Sequence, residues 1–284
     1  MINVLYCGNY KVFDGVLTSI LSILKRTGTQ EPFCFYLYTM SVPHIKPEYT
    51  AITDRDVAIL EATVRKYNPD NRVIKVDVTG YYEKEFAGSP NEQCYCSPYT
   101  LLRLFADEIP NMPDKLLYLD ADILFNRDIR LLYDTNVTDY EYAAARDHYG
   151  KYLLNPNYIN AGVLLFNLKR MRDTGILARA RELIRTKKLL FADQDALYKS
   201  TSRKKMLPQK FNDQKFLHRH TIVRHFSRRL FYLPYPHIDN IKQWDVEKVH
   251  KVFHYHQFDD ILEEYQKINE ERLQEQSSES SESV

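Results

Sequence analysis

Glycine is scarce, with 8 among 284 residues. The chain carries neither a G-x-G-x-x-G nor a P-loop pattern, which excludes a glycine-rich backbone cradle as its way of holding phosphate. Cysteine is scarcer still. Cys7 and Cys34 fall inside apolar segments, where a thiol behaves as a small hydrophobe. Cys94-Tyr95-Cys96 lacks both the usual zinc spacing and a second Cys/His pair. The four cysteines read as the reduced thiols of a cytoplasmic protein. No apolar run approaches the roughly 18 residues that cross a bilayer. The start, Ile2-Asn3-Val4-Leu5-Tyr6, goes straight into a strand, so we expect no signal peptide. Excess charge is also missing: 39 basic residues against 38 acidic ones leave +1, which argues against a nucleic-acid partner.

What remains is an ordinary globular composition, 44% hydrophobic and 27% charged, in a length that fits one large domain. The 22 tyrosines suit stacking on sugars and bases, and equally amphipathic packing. Basic residues concentrate in 169–188 and 203–229, and the last twenty or so residues are acidic. A basic face can meet anionic lipid or an anionic acceptor, although most such runs are solvated helix faces.

Hydrophobic periodicity predicts strands at 2–7, 33–38 and 73–78, alternating with helices at 12–25 and 54–67. Next come a helix at 98–108, with Leu101, Leu102, Leu104 and Phe105 on its apolar face, and strands at 116–119, 142–146 and 161–168. Helices follow at 176–186 and from Asp193, a late strand at 221–226 and a helical region from 246. The alternation predicts an α/β fold, a mostly parallel central sheet with helices on both faces. From Gln274 the Ser/Glu composition predicts disorder.

The most informative stretch is Leu116-Leu117-Tyr118-Leu119-Asp120-Ala121-Asp122. An apolar strand runs out onto two carboxylates at i and i+2, which an extended chain points to one side. Like charges so close are costly unless a cation lies between them. Few carboxylates on a divalent ion leave positions for water and phosphate. The pattern points to a phosphate-bearing substrate, with a sugar nucleotide the leading candidate. In an open α/β sheet such ligands bind beyond the carboxyl ends of the strands. The residues expected there are Asn9-Tyr10, Asp120 and Asp122, Asn160-Ala161-Gly162, Asp193-Gln194-Asp195 and His225.

These segments, with Ser97-Pro98-Tyr99-Thr100-Leu101-Leu102-Arg103-Leu104, Phe211-Asn212 and Lys242-Gln243-Trp244, occur in the order of glycosyltransferase family 8, and the chain resembles that family over about 2–250. The resemblance implies a GT-A fold, Rossmann-like, over residues 1–250, followed by a helical extension at 251–273 that could dock acceptor or membrane. It implies transfer of a hexose, glucose or galactose, from a UDP-sugar with retention of configuration. The acceptor would be a cell-envelope glycan, a lipid-linked sugar or a protein. It further implies Mn²⁺ (or Mg²⁺) held by Asp120, Asp122 and His225, with His237 the rival third ligand. Imidazole beside carboxylates suits Mn²⁺ better than the all-oxygen ions. Asp120 would also lie near the ribose, and Asn9 and Tyr10 at the nucleotide base. Arg103 would face the donor, Asn160, Asp193 and Gln194 would grip the sugar, and Lys242 would meet the diphosphate. Gln194 and Asp195 are the catalytic candidates. The family setting implies a cytoplasmic protein, with peripheral attachment at the inner face of the membrane an option.

Plainer roles are open to the same residues. Arg103 can pair with Asp107 one turn along, Asn160 can serve a turn, and Asp193 can cap a helix. Three departures from the family pattern stand out: Cys7-Gly8 in place of an acidic residue after the first strand, Lys-Gln-Trp in place of Lys-Pro-Trp, and an apparent insertion at 226–241. Two other classes fit a DxD. A phosphatase-type hydrolase would place it after the first strand rather than mid-chain. A non-catalytic sugar-nucleotide or glycan-binding module would be expected to lose some of the metal and sugar ligands.

Overall fold

The computed structural model describes residues 1–92 and 97–282, so Cys94-Tyr95-Cys96 lies outside the described residues. Eleven strands are present among them: β1 Ile2–Cys7, β2 Phe33–Thr39, β3 Arg72–Asp77, β4 Lys115–Leu119, β5 Ile123–Phe125, β6 Tyr142–Arg146, β7 Ile159–Asn167, β8 Lys204–Leu207, β9 Val223–His225, β10 Arg229–Phe231 and β11 His237–Asp239. The helices are α1 Phe13–Arg26, α2 Asp54–Tyr67, α3 Thr79–Phe86, α4 Arg130–Tyr133, α5 Gly150–Leu153, α6 Leu168–Thr174, α7 Ile176–Thr186, α8 Ala192–Ser200, α9 Val246–Lys248 and α10 Asp259–Glu282.

Seven strands form one sheet in the order β3-β2-β1-β4-β7-β6-β8. β3, β2, β1 and β4 run parallel, β7 runs against both its neighbours β4 and β6, and β8 lies parallel to β6. The sheet is thus mostly parallel as expected, with one reversed strand near its middle. Successive residues of each strand face opposite layers. Val4, Tyr6, Leu117, Leu119, Val163 and Leu165 pack against α1 and α10. Leu5, Leu116, Tyr118, Leu164 and Phe166 pack against the 3₁₀ segment Pro98–Phe105, α7 and α8. The 98–108 helix is therefore a 3₁₀ run; Ser97 caps it and Pro98 opens it.

The chain leaves this sheet at the DxD. Between β4 and β5 the segment Asp120-Ala121-Asp122 bends, and β5 pairs antiparallel with β9 in a separate ribbon, Ile123 opposite His225. The 226–241 segment folds into the hairpin β10–β11.

The C-terminal helix differs most from expectation. α10 continues past Gln274 as far as Glu282, because Glu, Gln and Ser without Gly or Pro do not stop a helix that is already anchored. Its Ile261, Leu262, Tyr265 and Ile268 are buried in the core shared with α1. Lys25–Glu264 at 2.7 Å and Arg26–Asp260 at 2.6 Å flank the contact. Arg272 Nε donates to the buried Asp56 at 2.8 Å and lies over the Phe13 ring. The face that would have been free to dock a membrane is packed on the body of the protein.

Candidate functional site

Asp120, Asp122 and His225 converge. One ligand atom from each lies within 4.8 Å of the others. His225 Nε2 is 3.1 Å from Asp122 Oδ1 and 3.8 Å from Asp120 Oδ2. The β5–β9 register creates this meeting, since His225 lies beside Ile123, the residue following the DxD. Gly162 of β7 leaves the room for it. A Cβ there would lie 2.4 Å from His225 Cε1 and 2.8 Å from Asp120 Oδ2. His237, the rival ligand, is on the hairpin, where its Nδ1 meets the Tyr235 carbonyl and its ring stacks on Phe231.

Each of these three side chains is held by a partner. Tyr118, two residues before Asp120 and on the same strand face, donates its hydroxyl to Asp120 Oδ1 at 2.6 Å. Asn212 Oδ1 is 3.0 Å from His225 Nδ1, while its amide donates to Asn160 Oδ1 at 2.8 Å. Lys242 pairs with Asp122 and donates to the Phe226 carbonyl at 3.1 Å. Burial alone would raise the Asp122 pKa, but the Lys242 ammonium and the His225 ring override it and hold the carboxyl well below the usual carboxylate range.

Arg103 does not pair with Asp107; Arg181 takes that carboxylate at 2.6 Å. Arg103 is 2% exposed and sits 3.8 Å above the Tyr118 ring. Its guanidinium meets Asp193 and Asp120, both at 3.3 Å, and donates to the Ala161 and Thr100 carbonyls. Burial lowers its proton affinity, but Asp193, Tyr118 and Asp120 more than restore it. Burial raises the Asp193 pKa, with Arg103 opposing. Asp193 lies within the first turn of α8 rather than capping it. Asp195 takes the capping part: its Oδ2 accepts from the Leu190 and Phe191 amides at 3.1 and 3.3 Å, and its Oδ1 accepts the Tyr158 hydroxyl at 2.6 Å.

Gln194 Oε1 accepts from the Ala161 amide at 2.9 Å, which aligns its side chain along β7. Asn160 Oδ1 accepts from the Gly162 amide at 3.0 Å and its amide donates to Asp147. At the end of β1, Asn9 is buried, accepts from the Lys11 amide and donates to the Glu48 carbonyl. Tyr10 beside it is exposed. The structure therefore brings Asp120, Asp122, His225, Lys242, Arg103, Asp193, Gln194 and Asn160 into one polar network. Asn9 and Tyr10 occupy the neighbouring strand end.

The family model for glycosyl transferase family 8 matches residues 3–220. The chain belongs to glycosyl transferase family 8.

Among family relatives, glycosyltransferase GlyA of Streptococcus pneumoniae is 32% identical over 168 residues, 58% of this chain and 20% of that protein. A glycosyltransferase of Haemophilus influenzae is 26% identical over 188 residues, 63% of this chain and 52% of that protein. The chain thus spans about half the length of one of these relatives and a fifth of the other. Among solved structures, the galactosyltransferase LgtC, in complex with donor and acceptor sugar analogs, superposes with a TM-score of 0.64 at 19% identity, over 94% of this chain and 96% of that one. The bifunctional WbbM superposes at 0.68 and 18% identity, over 92% of this chain and 49% of that one. The fold is that of GT-A glycosyltransferases.

Sequence reasoning missed the supporting residues of this family-8 site. Tyr118 was legible in principle, because strand alternation puts it on the face of Asp120. Asp147, which receives Asn160, had no local signal. Gln243, where the family pattern has proline, is fully buried and donates to Thr18 Oγ1 at 3.0 Å and the Ala121 carbonyl at 2.8 Å, bracing the DxD bend. Gly15 of α1 lets this bend come close: a Cβ there would lie 2.7 Å from the Ala121 oxygen and 2.8 Å from the Trp244 ring. A second group of possible metal ligands, His250, His256 and Asp259, is closed on itself. His250 Nε2 meets Asp259 at 2.7 Å and His256 meets it at 3.3 Å, tying the π-helical turn Val249–Phe253 to the start of α10.

Proposed function

We propose that this chain transfers a hexose from a UDP-sugar to a glycan-bearing acceptor with retention of configuration, in a reaction that depends on Mn²⁺. The convergence of Asp120, Asp122 and His225 in a family-8 fold carries the reading. Two carboxylates and one imidazole form a mixed O/N donor set, which fits Mn²⁺ better than Mg²⁺. Its outer partners, Tyr118 and Asn212, are of the kind that fix ligand orientation. The bound ion would neutralise charge that develops on the departing diphosphate.

The chain's own residues supply the rest. Lys242, already directed to Asp122, brings a further positive charge to the diphosphate. Arg103 fixes Asp120 and Asp193 from within the core, so its part is positioning. Tyr10 offers an exposed ring for the base. Asn160, Asp193 and Gln194 line the sugar's place. Gln194 is an amide and a poor nucleophile. Both oxygens of Asp195 are engaged by a hydroxyl and two amides, and Asp193 is committed to Arg103. With these carboxylates engaged, we favour acceptor entry on the face from which the diphosphate leaves, with a leaving-group oxygen taking the acceptor proton. Asp195 then acts by shaping the start of α8.

The test is release of UDP from a panel of UDP-hexoses by the purified protein, with Mn²⁺ and with chelator, beside Asp122→Asn. We expect slow, Mn²⁺-dependent release from one sugar, lost in the variant. Release from none, with no response to Mn²⁺, would leave a binding module and sink the transferase reading.

A further inference from the structure

Next to Gln194 and Asn160 the protein carries a cavity of 460 Å³, within the range of ordinary small-molecule sites. Its character differs from the polar network. The outer walls are Leu153 after Tyr149, Leu190 and Phe191 before α8, and Leu230 and Ile238 from the hairpin. Leu153 is 78% exposed, Leu190 66% and Ile238 70%. Sugar hydroxyls gain little from such walls, whereas a hydrocarbon chain gains from every methylene buried. The same cavity is lined by Lys215, Arg228 and Arg229, against the single carboxylate of Asp147, which already accepts from Asn160 and from the Tyr149 and Gly150 amides. Apolar walls, an excess of positive charge and a floor made by sugar-site residues occur together.

We infer that the acceptor is a sugar carried on an anionic lipid: a hydrocarbon chain joined to the sugar through a phosphate. The chain lies against Leu153, Leu190, Leu230 and Ile238, the phosphate faces Lys215 and the two arginines, and the sugar hydroxyl reaches Gln194. This rests on the transferase reading of the Asn160–Gln194 floor, and it assigns the inserted hairpin to acceptor selection. The hairpin provides walls that the rest of the fold does not, since Leu230 and Ile238 pair directly across β10–β11.

The probe is octyl phosphate, below its micelle concentration, against methyl phosphate, titrated calorimetrically into the full chain. Each methylene buried is worth about threefold to fourfold in affinity at most. We expect octyl phosphate to bind at least 30-fold more tightly than methyl phosphate. Ile238→Asp should remove most of that preference, with Leu190→Ser as a second variant on a different wall. Lys215→Gln should weaken octyl phosphate more than octyl glucoside. Equal affinity for the two phosphates in the wild type overturns the inference, as does an undiminished octyl preference in both wall variants. Binding to phosphatidylglycerol vesicles with no binding of monomeric octyl phosphate would make the surface a membrane dock and overturn it too. Wild-type UDP-hexose hydrolysis is read alongside. If hydrolysis is present and the octyl preference absent, only this inference fails; if hydrolysis is absent, the transferase reading fails.

Discussion

The two walls of the cleft are built by opposite means. On the side of Asp120, Asp122 and His225 the functional groups are buried or half-buried and each is held by a partner: Arg103 is 2% exposed and His225 3%. The hairpin side leaves large apolar side chains in the open, with Leu233 at the tip 84% exposed. A charged constellation works only if its geometry is set before the substrate arrives, because reorganising dipoles costs free energy during reaction. A hydrocarbon wall is non-directional and tolerates displacement. The wall of Asp120, Asp122 and His225 is accordingly made from strand ends and the other from the β10–β11 hairpin.

That contrast can be broken at several points. His225→Ala removes the proposed third metal ligand from the rigid wall, and we expect Mn²⁺-dependent UDP release to fall about 10³-fold, several kcal/mol of lost stabilisation; a loss under tenfold would mean that His225 is not a ligand. Leu262→Ala tests whether the wall's support extends to α10. It should cost about 3 kcal/mol in denaturant unfolding, and a stability change near zero would free α10 from the core.

Glu141 anchors the other end of the sheet. It is fully buried immediately before β6 and accepts from the Thr201 hydroxyl and from the Ser202 amide and hydroxyl. Burial alone would raise its pKa, but these bonds, with the Arg203 amide and Thr174, lower it. A depressed acid contributes stability above its unfolded pKa of about 4.3 and loses it as pH falls through the folded value. Glu141→Gln should cost about 2 kcal/mol at pH 7, and its deficit relative to wild type should shrink below about pH 4. A deficit that grows on acidification would reverse the assigned sign.

Asn212→Ala sharpens the comparison within the metal wall. Loss of a partner behind a ligand weakens metal sites about 10- to 100-fold, visible as a higher half-saturating Mn²⁺ concentration; an unchanged value would show that His225 orients itself. The smallest effect belongs to the hairpin tip, where Leu233→Ser should alter stability by under about 0.5 kcal/mol. A larger loss in thermal unfolding would show the tip to be structural.

Much of this was legible because the signal was long. Apolar runs of four or more residues marked β1, β2, β4, β6 and β7, and the DxD stood at the end of one of them. β5, β10 and β11 have three residues each, too few for an alternation to register, whereas β9 falls inside the strand expected at 221–226. α3 was hidden by Gly80, which reads as a stop but lies within the helix. At the site, sequence motifs named many of the side chains that the structure brings together and gave no role to several that brace them. Asn212 appeared in a motif without a role, and Asp147 and Gln243 act through contacts across more than a dozen residues that no local pattern encodes.

The bracing of the DxD bend has a practical side. The chain contains one tryptophan, Trp244, and it lies against Gly15 and next to Gln243, which holds the Ala121 carbonyl between Asp120 and Asp122. Intrinsic fluorescence excited at the indole band therefore has a single source, seated beside the DxD bend. The protein thus carries its own optical reporter of the surroundings of this bend, readable in solution without a label.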